Sequence, residues 1–272
     1  MVATPKEAST LVLLRDPETA DGPPEVLLVR RGNRAGFGPG AYVFPGGVLD
    51  AGDFSARAVA LSAQFPPASA ARAMRREVGS AEIAPKALGF YLAAIRETFE
   101  EVGVLLARRA AGDPFAPTPA ESLLLQAARE RINRGEQDFY QMVEELQLTL
   151  ATGELVPFAH WITPEGRPKR FDTRFFVAPA PEAIGVRGDG REVFDHRWVS
   201  AAQALRLCES NQLKLMNPTI KNLELLAAFG KKEEALAELA DKRFSTVVPK
   251  IGAHPDGSPR LVHPWESDYH TF

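Results

Sequence analysis

Apolar and polar positions along this chain change period several times, and each change marks an element. Ser9 to Leu14 and Glu25 to Arg31 carry apolar runs separated by the turn-rich Asp16-Pro17 to Pro23-Pro24 stretch, and they predict two strands. Ala41-Tyr42-Val43-Phe44 is a third apolar run, which Pro45-Gly46-Gly47 ends in a tight turn. Ser55 to Gln64 and Pro67 to Val78 are alanine-rich and predict two helices. Leu88 to Val102 is an amphipathic run that Pro85 opens and Gly103 closes, after which Val104-Leu105-Leu106 restarts as a strand.

The second half mixes both periods. Thr118-Pro119-Ala120-Glu121 is a capping box that opens a helix to about Asn133, and Gln137 to Leu146 predicts another. Val156 to Ile162 and Phe171 to Ala178 predict strands. In the second of these, Phe171, Thr173 and Phe175 alternate with Asp172 and Arg174, whose side chains face either a cleft or solvent. Glu192 to Val199 predicts the next strand, followed by helices from Ser200 to about Cys208, Asn217 to about Phe229 and Lys232 to Lys242. The tail from Val247 to Phe272 holds four prolines and three histidines and predicts an extended path around the body or a neighbouring subunit. Strands and helices without a regular alternation predict an α+β fold rather than a doubly wound sheet.

The chemistry concentrates in Arg96-Glu97-Thr98-Phe99-Glu100-Glu101-Val102-Gly103-Val104. Glu97, Glu100 and Glu101 stand at i, i+3 and i+4, one face of one helical turn. Like charges so placed repel by roughly 0.2–0.5 kcal/mol per pair. Water relieves that repulsion on a solvated face, and a divalent cation relieves it at a site; hard carboxylate oxygens suit Mg²⁺ shared with substrate phosphates. The glycine corner Phe44-Pro45-Gly46-Gly47, followed by Asp50, Gly52 and Asp53, favours the second reading.

Together these segments resemble the Nudix box, Gly-x5-Glu-x7-Arg-Glu-U-x-Glu-Glu-x-Gly-U, where U is apolar. Gly47 takes the opening glycine, and Arg96, Glu97, Glu100, Glu101, Gly103 and Val104 take the second half. Asp53 stands where the first glutamate belongs, and Thr98 occupies an apolar position. Residues 54 to 95 separate the halves, 42 residues where the pattern has seven, an insertion of 35. Such a break after Phe-Pro-Gly-Gly-Val-Leu-Asp, here Phe44 to Asp50, resembles the coenzyme A diphosphatase branch. Trp161-Ile162-Thr163-Pro164, with the strand that follows it, also resembles that branch. The coenzyme A motif that precedes the box in related enzymes is matched by Leu27, Leu28, Arg31, Gly40 and Phe44 to Gly47, and missed at Val29, Gly32 and Gly36.

The resemblance implies an α/β/α sandwich around a mixed sheet, in one domain over residues 1–272. It places a helical insertion at about 54–90 and added helices at about 118–147 and 200–242. It also implies a pyrophosphohydrolase in which Glu97, Glu100, Glu101 and the Gly47 carbonyl hold Mg²⁺ or Mn²⁺. Arg96 sets a carboxylate rotamer, and either Glu97 or Glu100 is the general base. Arg31, Gly46 and Glu192 are candidate substrate contacts. The substrate expected is a nucleoside diphosphate derivative, coenzyme A or acyl-coenzyme A first. ADP-ribose, NADH or another dinucleotide is the alternative, and a non-catalytic nucleotide-binding protein is a third reading.

Composition narrows the field further. An apolar fraction of 45% and a charged fraction of 25% suit a globular protein, and a net charge of −3 gives no electrostatic reason for nucleic-acid binding. The one cysteine, Cys208, excludes an internal disulfide and sits in an apolar run that predicts a core position. No signal peptide, membrane span or Ser-Lys-Leu terminus is present, so a cytoplasmic location is expected, with a homodimer as the expected assembly. The five histidines lack ligand spacing, and neither a Gly-x-Ser-x-Gly elbow nor a P-loop occurs.

Overall fold

The computed structural model describes residues 3–18, 22–32, 38–78, 83, 85–181, 186, 188 and 193–271. Its strands are β1 (Lys6–Arg15), β2 (Glu25–Arg31), β3 (Tyr42–Val43), β4 (Gly46–Val48), β5 (Glu77–Val78), β6 (Ala107–Arg108), β7 (Thr149–Leu150), β8 (Val156–Ile162), β9 (Phe171–Pro179), β10 (Val193–Ser200), β11 (Phe244–Val247), β12 (Lys250–Ala253) and β13 (Pro259–Val262). The helices are α1 (Ala56–Ala60), α2 (Pro67–Met74), α3 (Ala87–Val102), α4 (Pro119–Asn133), α5 (Phe139–Glu145), α6 (Ala201–Glu209), α7 (Asn217–Leu226) and α8 (Lys232–Asp241).

Among the described residues, nine strands form one mixed sheet in the order β10-β2-β1-β9-β8-β11-β5, with β3 on β2 and β4 on β1. β1 runs parallel to β9 over nine partnered positions and antiparallel to β2 and β4. β1 alternates between the sheet's two faces: Leu11 and Leu13 enter one apolar cluster with α3, and Val12 and Leu14 enter another with α7 and α8. Helices therefore cover both faces, in keeping with an α+β sandwich around a mixed sheet.

α3 is the central helix of the first face. Its first half, Ala87 to Arg96, is buried at every position, so the glutamates emerge only in its last turn and a half. Gly89 lies where a Cβ would meet the Phe54 ring at 2.4 Å, which lets the residues after the glycine corner pack on the helix. Gly103 ends the helix in the left-handed conformation at φ 76°, donating its N–H to the Phe99 carbonyl at 2.8 Å. Thr98, out of place in the box pattern, is buried and donates its hydroxyl to Ala94 O at 2.7 Å.

Two expectations about elements change. Val104-Leu105-Leu106 is not a strand; its side chains fill the first core, and pairing begins only at β6 with β7. The second helix of the insertion stops at Met74, because Glu77 and Val78 pair in parallel with β11 and Phe244 N–H donates to Arg76 O at 3.1 Å. The extended tail folds on itself, β12 and β13 forming a hairpin, and just before it Phe244 to Val247 joins the central sheet between β8 and β5.

The polar face of β9 is also not a wet one. Arg174 is 6% exposed and pairs with Glu77 at 3.0 Å and with Asp172 at 3.0 Å. His160 of β8 completes the group, with Nδ1 2.8 Å from Glu77 and Nε2 bonded to Asp172. This cluster ties the insertion to β8 and β9. Burial opposes charge on both Glu77 and His160, yet mutual hydrogen bonds prevail and hold Glu77 below and His160 above the ordinary range.

Candidate active site

The glycine corner folds back onto the acidic turn of α3. Ser9 and Thr10 of β1 pair with Gly47 and Gly46, which places the corner on the sheet beneath the helix. Gly46 N–H donates to Glu101 Oε2 at 3.0 Å. Its φ of 153° and the Ser9 carbonyl, 2.2 Å from where a Cβ would stand, both require glycine. At Gly47 a Cβ would lie 2.4 Å from Glu97 Oε2, so its missing side chain is the space that the Glu97 carboxylate fills.

Asp53 joins the halves of the split box from a 3-10 turn at Ala51–Phe54, which Asp50 caps reciprocally. Its Oδ1 accepts from Arg96 Nε at 2.8 Å and from the Tyr140 hydroxyl. Its Oδ2 accepts from Asp50 N–H at 2.6 Å and from Arg96 Nη2 at 3.1 Å. Arg96 then spends Nη1 on Glu97 Oε1 at 2.9 Å and Glu100 Oε2 at 3.3 Å, and Nη2 also reaches Val48 O at 3.0 Å. One buried guanidinium thus serves three carboxylates. Burial pushes Glu97 up to about 7; Arg96 opposes the shift, while Glu100 and Asp53 add to it. Burial likewise raises Glu100, again against Arg96. Burial, with Asp53 beside it, also pushes the Tyr140 hydroxyl up, which keeps it a donor.

Two added helices brace the end of α3. From α4, Arg129 donates Nε to Glu100 O at 2.8 Å and Nη2 to Glu101 O, and Asn133 donates to Glu100 O at 3.1 Å. These bonds satisfy carbonyls that a helix C-terminus leaves open, and the cation complements the helix dipole. From α5 comes Tyr140, 1% exposed.

Gly46, Gly47, Arg96, Glu97, Glu100 and Glu101 are therefore brought together. Arg31 ends β2, where its backbone N–H donates to Ala41 O at 3.0 Å, five positions before Gly46. Its Nε is buried with no hydrogen-bond partner among the described residues. Glu192 and Gly36 lie outside the described residues. Sequence reasoning missed Tyr140 and Arg129. Arg129 left a trace, since it shares an apolar stripe with Leu125, Ala128 and Ile132, but Tyr140 is indistinguishable from its core neighbours Phe139, Met142 and Val143.

All the acidic donors are carboxylate oxygens, the chemistry that suits a hard divalent cation. Burial, opposed by Arg96, raises both adjacent glutamates, a setting that disfavours their charge and that a cation would relieve. Among the described residues no three acidic, histidine or cysteine side chains are already gathered as a metal cluster, because Glu97 and Glu100 are turned onto Arg96 and Glu101 onto Gly46. No helix among the described residues is long and apolar enough to cross a membrane.

Comparison with known proteins places this geometry. The NUDT19 Nudix domain family matches residues 5–226. The chain is 31% identical over 259 residues to acyl-coenzyme A diphosphatase NUDT19 of Homo sapiens, covering 82% of this chain and 69% of that protein. It is 31% identical over 234 residues to the Gallus gallus protein of the same name, covering 75% of this chain and 61% of the relative. Among solved structures, a NUDIX hydrolase from Alicyclobacillus acidocaldarius superposes with a TM-score of 0.64 at 28% identity, over 86% of this chain and 96% of that one.

Proposed function

Because the chain belongs to the Nudix hydrolase family, and is a pyrophosphohydrolase of it, we propose that it cleaves the pyrophosphate of coenzyme A derivatives, acyl-coenzyme A foremost. The observation that carries the chemistry is the closed corner itself: Gly46 on Glu101, Gly47 against Glu97, and Arg96 shared with Asp53 and Glu100. The substrate class is supported by the names of the two relatives and by the break after Phe44 to Asp50.

Glu97, Glu100, Glu101 and the Gly47 carbonyl would hold one or more divalent cations, Mg²⁺ or Mn²⁺, which neutralise phosphate charge and acidify water. The chain's own groups divide the remaining work. Either Glu97 or Glu100, both held by Arg96, takes the proton of the attacking water. Water oxygen bonds to phosphorus, the bridging P–O bond breaks, and 3′,5′-ADP and an acylated or free 4′-phosphopantetheine leave. Arg96 orients Glu97 and Glu100 and is a positioning residue. Arg31, with its unpartnered Nε, is the proposed phosphate or nucleotide contact from β2, and Glu192 the proposed further carboxylate. A second reading, ADP-ribose or NADH, draws on Val29, Gly32 and Gly36, where the coenzyme A motif is missed.

The test is a panel of coenzyme A, a short and a long acyl-coenzyme A, ADP-ribose, NADH and diadenosine polyphosphates, with Mg²⁺ or Mn²⁺ in turn, analysed by product identity. Release of 3′,5′-ADP at the highest kcat/KM supports the proposal; preferential turnover of ADP-ribose or NADH replaces it with the second reading. A cytoplasmic homodimer is part of the same proposal; for the dimer, Ile251 and Trp265, 41% and 59% exposed in and after the tail hairpin, offer an apolar contact. Sedimentation of the purified chain and cell fractionation test it.

A further inference from the structure

We propose that Tyr140 is a positioning residue of this active site: α5 delivers its hydroxyl as the fourth donor to Asp53, making up for the shortened carboxylate, and through Arg96 it sets where Glu97 and Glu100 stand. The inference rests on the metal-site reading given above. Asp53 is fully buried, and each of its oxygens accepts two hydrogen bonds, so its acceptor capacity is filled. Three of those four bonds come from Asp50 and Arg96, within the glycine corner and α3. The fourth crosses 87 positions of sequence from a helix outside the box.

The box pattern has glutamate at this position, one methylene longer than Asp53. A shorter side chain leaves a gap between the carboxylate and the wall of the core, and the Tyr140 hydroxyl occupies it. Without that donor, Asp53 Oδ1 keeps only Arg96 Nε, and the carboxylate re-centres on the guanidinium. Arg96 Nη1 is the group that fixes Glu97 and Glu100, so the movement reaches the proposed metal donors directly. The role parallels that of Arg129 and Asn133, which fix the backbone of Glu100 and Glu101 from α4. Helices α4 and α5 are thus a brace on the catalytic turn.

The experiment is a double-mutant cycle on the full chain with Tyr140→Phe, Asp53→Glu and the pair together. Mn²⁺ affinity is measured without substrate by electron paramagnetic resonance, and kcat and KM are measured on the best coenzyme A derivative. Tyr140→Phe is expected to weaken Mn²⁺ binding and lower kcat about tenfold with KM changed less than about twofold, the usual scale for a group that orients ligands. Asp53→Glu alone, crowded by the tyrosine, loses a similar factor. The double variant, in which the longer carboxylate fills the place of the hydroxyl, recovers to within about threefold of the native chain. Native Mn²⁺ affinity and kcat in Tyr140→Phe overturn the proposal, as do single losses that multiply in the double variant. If Tyr140→Phe does not fold, the comparison of Asp53→Glu with the double variant still decides, since the proposal requires the double to be the better of the two. A chain that hydrolyses no coenzyme A derivative defeats the substrate reading alone, because the Mn²⁺ cycle is scored without substrate.

Discussion

Replacing Gly47 with alanine separates the geometry of the site from the stability of the fold. The added Cβ would stand 2.4 Å from Glu97 Oε2, 2.5 Å from Cδ and 2.7 Å from Oε1, where ordinary contact begins at 3.4 Å. The carboxylate must therefore retreat by about 1 Å, the difference between 3.4 and 2.4 Å. Backbone does not resist the substitution, since Gly47 is not among the residues with positive φ. Glu97 is a flexible chain end, so the retreat costs little folding energy, and alanine lowers the entropy of the unfolded chain by about 0.4–1 kcal/mol. For catalysis the same 1 Å matters, because misplacing a reacting group by that much costs on the order of 10²-fold. Gly47→Ala should lose about 10²-fold in kcat while its urea midpoint stays close to native. Steady-state kinetics beside equilibrium denaturation checks this. A variant retaining more than half of native kcat, or one that unfolds, refutes the claim that Gly47 exists to seat Glu97. Gly46→Ala is the contrast: its clash is with the Ser9 carbonyl at 2.2 Å, and it should fail to fold.

Other expectations follow from the same contacts. Glu101→Gln keeps the shape that receives Gly46 N–H but loses the charge, and kcat should fall on the order of 10²-fold with the melting temperature nearly unchanged. Arg96→Ala strands the fully buried Asp53 carboxylate and should destabilise the chain by about 3–5 kcal/mol in urea titration; a smaller loss than Lys86→Ala, an exposed pair, contradicts the burial argument. Without divalent cations, Glu97 is held near 7 against an unfolded value of 4.5, so the native state binds more protons between those values and stability falls as pH rises through the window. Relative to Glu97→Gln, the native chain should lose about 3 kcal/mol between pH 4.5 and 7.5, and Mg²⁺ should restore it; parallel pH profiles for the two chains would remove the basis of this prediction. His160, raised by Asp172 and Glu77 despite burial, contributes stability that is full below its unfolded value of 6.5 and lost as pH climbs through its higher folded value. His160→Gln should flatten that part of the curve.

How much of this was legible in the sequence depends on the range of the interaction. The acidic turn, its C-cap at Gly103 and the capping box at Thr118 are local, and each stands where spacing put it. The pairing of Gly46 and Gly47 with Glu101 and Glu97 spans about fifty positions and was inferred only through resemblance to a known box. Asp172 and Arg174 look like the wet side of a strand because alternation reports two faces and not what covers each; here Glu77 and His160 cover one of them. Tyr140 was invisible because a hydroxyl in an apolar helix leaves no periodic trace. The strand expected at Val104 failed for a similar reason: a short apolar run serves a ladder or a core equally well.

The strand β11 has a consequence for synthesis. Phe244 meets Glu77 across 167 positions (244 − 77), and Thr246 meets His160, so the far edge of the sheet closes only when a segment beyond the matched family region 5–226 has left the ribosome. Until then Glu77, Arg174 and His160 face an unfinished border, and the loop to be closed is among the longest in the chain, with the slow kinetics that such distant contacts impose. The nascent enzyme carries its complete acidic turn for well over a hundred residues of translation before the border that holds its insertion is sealed.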